Sequence, residues 1–227
     1  EPLGMSSSLY DRTETIVPRR ARGYTLQGDE PRNAAYLSMT QPYSAGSLAS
    51  TVDDLARWDA ALYSERLVKA ASLEKAWTPY VLKDGEPTRY GYGWGVSKVR
   101  GRRAIGHGGG IHGFSTYAVR LPEERVFVAV LCNSDAPAAP PEYLGKKIAA
   151  IAVGDPFPEP VAVAVDPAVL ARYAGVYRID ERTTRTVFAE GGRLYTQRSG
   201  GERIEARPSS ETEFFYERSF SRFRFVL

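Results

Sequence analysis

The chain has 227 residues, of which 43% are hydrophobic and 25% charged, enough apolar material for a real core and too much for a disordered chain. Lysine and arginine number 30 against 27 acidic residues, so the net charge is only +3; with basic residues scattered rather than striped, this argues against a nucleic-acid partner. No apolar run is long enough to span a bilayer, and the single cysteine, Cys132, makes neither an internal disulfide nor a metal cluster with the two histidines. It reads as a small buried hydrophobe at the end of an apolar run.

The opening Glu1-Pro2-Leu3-Gly4-Met5 carries no charged or apolar leader pattern and reads as the interior of a domain. Residues 6–50, rich in Ser, Arg, Gly and Pro, read as long surface loops with short pieces of structure. The first helix follows, capped by Ser50-Thr51. Asp54, three residues after Thr51, completes a capping-box pattern, and Val52, Leu55, Trp58 and Leu62 are predicted to share the buried face. A second helix carries Leu73, Ala76 and Trp77, with Ser72 as its cap and Pro79 as its stop.

Glycine then alternates with large residues in Tyr90-Gly91-Tyr92-Gly93-Trp94-Gly95-Val96. This predicts a strand with one bare face, against which a backbone or a substrate packs closely. Arg103-Ala104-Ile105 leads into Gly106-His107-Gly108-Gly109-Gly110-Ile111-His112-Gly113-Phe114. The apolar runs 114–121 and 126–132, joined by the polar turn Pro122-Glu123-Glu124-Arg125, predict an antiparallel hairpin. A helix starts at Pro141, with Leu144, Ile148 and Ile151 on its apolar stripe. The organisation expected is therefore a first domain over 1–154, a proline-rich linker over 155–167, and a small domain over 168–227. In the last of these, short alternating segments are punctuated by Gly191-Gly192 and Gly200-Gly201, as in a β-meander or partial barrel. Arg222 and Arg224 alternate with Phe223 and Phe225 as the wet face of a strand.

The chemistry concentrates in His107-Gly108-Gly109-Gly110. Bare glycines let a substrate approach the backbone and expose N–H groups to a developing oxyanion, and a histidine beside them can orient a substrate or exchange a proton. On the tetrad alone, a surface histidine at a glycine-rich strand end is the plainer reading. An α/β-hydrolase oxyanion loop fails twice. The nearest candidate for a nucleophile elbow, Gly113-Phe114-Ser115-Thr116-Tyr117, ends in tyrosine, and a β-hairpin stands where that fold alternates strands with helices.

Four segments, in order, carry a different likeness: Pro2-Leu3-Gly4-Met5, Ala45-Gly46-Ser47-Leu48-Ala49-Ser50-Thr51-Val52-Asp53-Asp54-Leu55, Tyr90-Gly91-Tyr92-Gly93-Trp94-Gly95, and 106–114. Together they resemble the beta-lactamase-like serine hydrolases, a family that includes class C beta-lactamases, DD-peptidases and related esterases. The likeness covers residues 1–154. It implies an α+β fold, with an antiparallel sheet flanked by helices and a small all-β domain appended, which Tyr173-Ala174-Gly175-Val176-Tyr177 opens. It also implies hydrolysis of an amide, lactam or ester through an acyl-serine intermediate, without cofactor or metal, on a small-molecule or peptide-like substrate. By resemblance His107-Gly108-Gly109 is the third motif of the family site. His107 would polarise the site, the N–H of Gly110 would be an oxyanion donor, and Gly108, Gly109, His112, Tyr92 and Trp94 would line the substrate. For His112 a plain turn histidine, and for Tyr92 and Trp94 plain packing, are the competing readings.

Gly108 stands where many members have Thr or Ser, which favours a broader esterase or peptidase over a penicillin-specific enzyme. The family's Ser-x-x-Lys and Tyr-x-Asn motifs usually precede Pro-Leu-Gly-Met. The one Ser-x-x-Lys here, Ser72-Leu73-Glu74-Lys75, falls in a peripheral helix and reads as chance. The chain alone is thus expected to be inactive, to pair with the N-terminal portion of its own domain, and to dimerise as a fragment if left uncovered. The alternative is a catalytically dead, hydrolase-like binding or regulatory module. Family resemblance alone suggests a periplasmic or secreted location.

Overall fold

In a computed structural model the protein is described over residues 2–12 and 14–226. The expectations placed on Glu1 and Leu227 lie outside the described residues. Two compact units divide between Phe157 and Pro158.

The first unit is built on a four-stranded antiparallel sheet, β5 (Gly95–Val99), β6 (Arg102–Ile111), β7 (Phe114–Leu121) and β8 (Val126–Cys132), in that spatial order. Before it come the short strands β1 (Leu9–Tyr10), β2 (Tyr24–Gln27), β3 (Glu30–Asn33) and β4 (Leu48–Ala49), which pair as β1 with β4 and β2 with β3. Helices α1 (Val52–Ala61) and α2 (Ala70–Ala76) cover one face of the sheet, where Leu62, Leu73, Trp77 and Ile105 form a buried cluster. Helix α3 (Pro141–Ala152) covers the other, where Ala104, Tyr117, Val119, Leu121 and Val128 pack with Ala149 and Ala150. Side chains alternate across a strand, so neighbouring Ala104 and Ile105 supply opposite faces. This is the predicted α+β architecture.

Several local expectations are corrected. Residues 90–94 are a turn rather than a strand: Gly93 has φ +75°, Gly91 donates its N–H back to Trp94, and pairing with β6 begins only at Gly95. The glycine at 91 does mark a close approach, because a Cβ there would collide with the Ala76 carbonyl at the end of α2. Ser72 is not a cap but lies within α2. The N-cap is Lys69, and the Glu65 carboxylate accepts the Ala70 N–H in its place. Thr51 caps α1 through the Asp54 N–H, yet the Asp54 carboxylate does not close the box. It accepts instead from Ser7 N–H, Ser8 Oγ and Arg57, which pins the 5–8 loop to the helix. Val52 is accordingly exposed, and Asp54, Asp59 and Ala61 occupy the buried face of α1. In α3 the predicted stripe is also turned: Ile148 and Ile151 are exposed, and Gly145, Ala149 and Ala150 face the sheet. Small residues are needed there because the Tyr117 ring fills the space, and a Cβ on Gly145 would lie 2.9 Å from its Cδ1.

Arg120, on β7, points to the α1/α2 face and is 1% exposed. Its guanidinium meets Asp59 at 3.0 Å, in an orientation that makes no hydrogen bond, and lies over the rings of Tyr63 (4.4 Å) and Trp77 (4.8 Å). Burial, opposed by the attraction of Arg120, pushes the Asp59 carboxyl up to about 6.

The second unit holds α4 (Pro167–Ala171) and the six-stranded antiparallel meander β9 (Gly175–Arg178), β10 (Thr184–Glu190), β11 (Arg193–Arg198), β12 (Arg203–Pro208), β13 (Glu213–Phe215) and β14 (Arg222–Arg224). Gly191 and Gly192 turn β10 into β11, and Gly200 turns β11 into β12, all with positive φ. Tyr173 stacks on Phe225 at 4.0 Å between ring centroids, and Phe214 stacks on Phe223 at 5.5 Å, in a core that also buries Leu170, Val187 and Leu194. Arg222 and Arg224 remain exposed beside those rings, as the alternation predicts.

Candidate active site

Strand β6 is the centre of the site, and its two neighbours do not match it in length. β7 follows it to the closing pair Ile111↔Phe114, whereas β5 leaves it at Gly95↔Gly106. Residues 107–111 therefore form a sheet edge, and all of 107–110 are exposed. The phase of the ladder says which groups face that edge. Val96 donates its N–H to the Arg89 carbonyl, on the side of β5 away from β6, so Gly95 turns its backbone groups toward Gly106. Antiparallel strands alternate, so Gly108 and Gly110, two and four residues on, also point N–H and C=O away from β7 into the unpaired edge.

His107 sits at the start of this edge, with its Nε2 2.8 Å from the Tyr90 hydroxyl and its Nδ1 against the Gly108 carbonyl. The Tyr90 ring meets the imidazole edge-on at 5.7 Å between centroids. Tyr90 was not singled out by sequence. The glycine alternation drew attention to Tyr92 and Trp94, and only the turn at Gly93 decides which aromatic side chain reaches the histidine.

The other predicted residues are placed as follows. Gly108 and Gly109 lie on the edge beside His107, and the space on them differs. A Cβ on Gly108 would meet nothing closer than 3.7 Å, whereas one on Gly109 would lie 2.7 Å from Thr116 Oγ1. Tyr92 is exposed and tied through its N–H to the Ala76 carbonyl. Trp94 is half-buried, stacked on Trp58 at 5.4 Å and edge-on to Trp77 at 6.3 Å. His112 occupies the two-residue turn after β6, its Nδ1 3.3 Å from the Ala35 carbonyl. Gly113, the second turn residue (φ +76°), is clamped: its N–H donates to Asp135, and the Tyr24 N–H donates to its carbonyl. The Gly113 N–H, with Thr25, holds the Asp135 carboxyl below the usual carboxylate range. Ser72 and Lys75 are exposed on α2.

A beta-lactamase family profile matches residues 1–153. Penicillin-binding protein 4* of Bacillus subtilis (strain 168) is 34% identical over 195 residues, covering 82% of this chain and 43% of that protein. A D-aminopeptidase of Gluconobacter oxydans is 25% identical over 156 residues, covering 69% of this chain and 29% of that protein. The chain thus spans less than half the length of these curated relatives. Among solved structures, the octameric penicillin-binding protein homologue from Pyrococcus abyssi superposes with a TM-score of 0.59 at 25% identity, over 94% of this chain and 50% of that one. A D-stereospecific amidohydrolase from Streptomyces sp. gives 0.51 at 26% identity, over 60% and 41%. With a profile match across most of its length and the predicted motifs in order, the chain belongs to the beta-lactamase family.

Proposed function

We propose that this chain supplies the substrate-strand side of an acyl-serine hydrolase that cleaves amide or peptide bonds. The observation that carries the reading is the open edge of β6, with Gly108 and Gly110 facing out beside His107. A peptide-like substrate laid along it would be held as an added strand, accepted by the Gly108 carbonyl, with the Gly110 N–H donating to the oxyanion of the tetrahedral intermediate. His107 polarises the same place. Gly109, His112 and Tyr92 flank the substrate, and Trp94 braces the site through its stack with Trp58. The serine nucleophile, its lysine and an assisting tyrosine come from outside residues 1–227, so the chain alone is inactive. Relatives named as D-aminopeptidase and D-stereospecific amidohydrolase favour D-amino-acid amides and peptides as the substrate class. The missing hydroxyl at Gly108 fits a broad amide or ester hydrolase better than a penicillin-specific one. No helix among the described residues is long and apolar enough to cross a membrane. We place the protein outside the cytoplasm, in the periplasm or secreted, as penicillin-binding relatives suggest.

The test is covalent labelling with a fluorophosphonate and a fluorescent penicillin. The 227-residue chain should stay unlabelled, and the protein expressed from the complete reading frame should be labelled at a serine of a Ser-x-x-Lys motif and should hydrolyse a D-amino-acid amide. Labelling of Ser72 in the short chain would overturn the reading. A complete protein that folds but is neither labelled nor active would point to a binding or regulatory module.

A further inference from the structure

The contacts of His107 fix more than its place. A carbonyl carries no proton, so at the Nδ1 contact the imidazole must donate to Gly108. A neutral imidazole has one N–H, which leaves Nε2 bare, and the Tyr90 hydroxyl 2.8 Å away must then donate to it. We propose that Tyr90 is a positioning residue that locks His107 as the Nδ1–H tautomer, so that the histidine donates to the open edge of β6 rather than standing as a free base. Its catalytic meaning rests on the β6 edge being the substrate strand.

Tyr90 is well anchored for this task. Its carbonyl accepts from the Tyr80 N–H and from Thr88 Oγ1, both at 2.9 Å, and it bridges to Gly95 at the start of β5. The next two N–H groups bond Trp94 and the Ala76 carbonyl at the end of α2. The phenol is thus aimed by backbone held at several points, and a ring so held can orient its neighbour rather than follow it. Two consequences follow. The Nε2 lone pair is occupied while Tyr90 stays. The Gly108 carbonyl, polarised by the Nδ1–H, keeps its second lone pair for a substrate N–H arriving along the edge.

Long-range proton–nitrogen NMR on the intact 227-residue chain reads the tautomer directly. Only two histidines are present, so His112 serves as the internal control. Neutral His107 is expected in the Nδ1–H form. In Tyr90→Phe the ratio of Nδ1–H to Nε2–H forms should fall about five- to tenfold, the equivalent of one ordinary hydrogen bond, with His112 and the amide spectrum elsewhere unchanged. A wild-type His107 in the Nε2–H form, or a ratio that Tyr90→Phe leaves untouched, would overturn the assignment. The wild-type spectrum decides the tautomer by itself, even if the variant folds poorly. No turnover enters this measurement, so a locked histidine in a protein without hydrolase activity would remove the functional reading and keep the lock.

Discussion

Replacing Arg120 with methionine should destabilise the first unit far more at pH 8 than at pH 5. Asp59 is the partner, and burial raises its carboxyl to about 6, roughly two units above the ordinary value. The folded state therefore binds that proton more tightly than the unfolded chain does. Stability from this group is complete below pH 4 and is lost as pH rises through 6, by about 3 kcal/mol at about 1.4 kcal/mol per unit. In Arg120→Met the carboxyl loses the cation that opposes burial, so its pKa climbs above 6 and the loss continues to higher pH. At pH 5 Asp59 is mostly protonated in both proteins. The difference there is the guanidinium's contact with the Tyr63 and Trp77 rings, about 1–2 kcal/mol, offset by the relief of a buried cation whose three nitrogens have no hydrogen-bond partner. At pH 8 up to two further units add up to about 3 kcal/mol that the comparison at pH 5 lacks. Urea denaturation followed by tryptophan fluorescence measures both, with Trp77 as the local reporter. In Asp59→Asn the wild-type fall between pH 4 and 6 should disappear. Equal losses for Arg120→Met at the two pH values would refute the argument.

Gly145→Ala should lower the melting temperature, because overpacking against Tyr117 costs about 1–3 kcal/mol and outweighs a helix-propensity gain of about 1. Gly113→Ala should destabilise by about 3 kcal/mol and loosen amide protection around the β6–β7 turn: it combines φ +76° with a Cβ placed 2.5 Å from that of Ala34. On the proposed function, His107→Ala in the complete protein should reduce acylation about ten- to thousandfold in stopped-flow assays while leaving thermal denaturation unchanged, since the ring is exposed. Unaltered turnover would remove His107 from the site.

Much of the fold was legible in the chain because punctuation and period are local properties. The apolar runs 114–121 and 126–132 coincide with β7 and β8, each fixed by an alternating run and a short polar turn. The glycine pairs at 191–192 and 200–201 mark the meander's turns, since Gly191, Gly192 and Gly200 supply positive φ where the chain must reverse. Four weak motifs in order identified the family, and His107-Gly108-Gly109-Gly110 was found as a strand end. What the tertiary structure decided is which partner each residue meets. Asp54 and Asp59 entered the buried face of α1 because Ser7, Ser8, Arg57 and Arg120 were there to receive them, and of these only Arg57, one turn on in the same helix, is visible in a helical period. The face of α3 was set by one ring, Tyr117, on a strand some thirty residues away in sequence. Tyr90 rather than Tyr92 or Trp94 reached His107 because a single left-handed residue, Gly93, turned an alternating pattern into a reversal. The open edge of β6 exists only because β5 is shorter, and strand pairing is a relation between distant segments, so no one segment records where its partner stops.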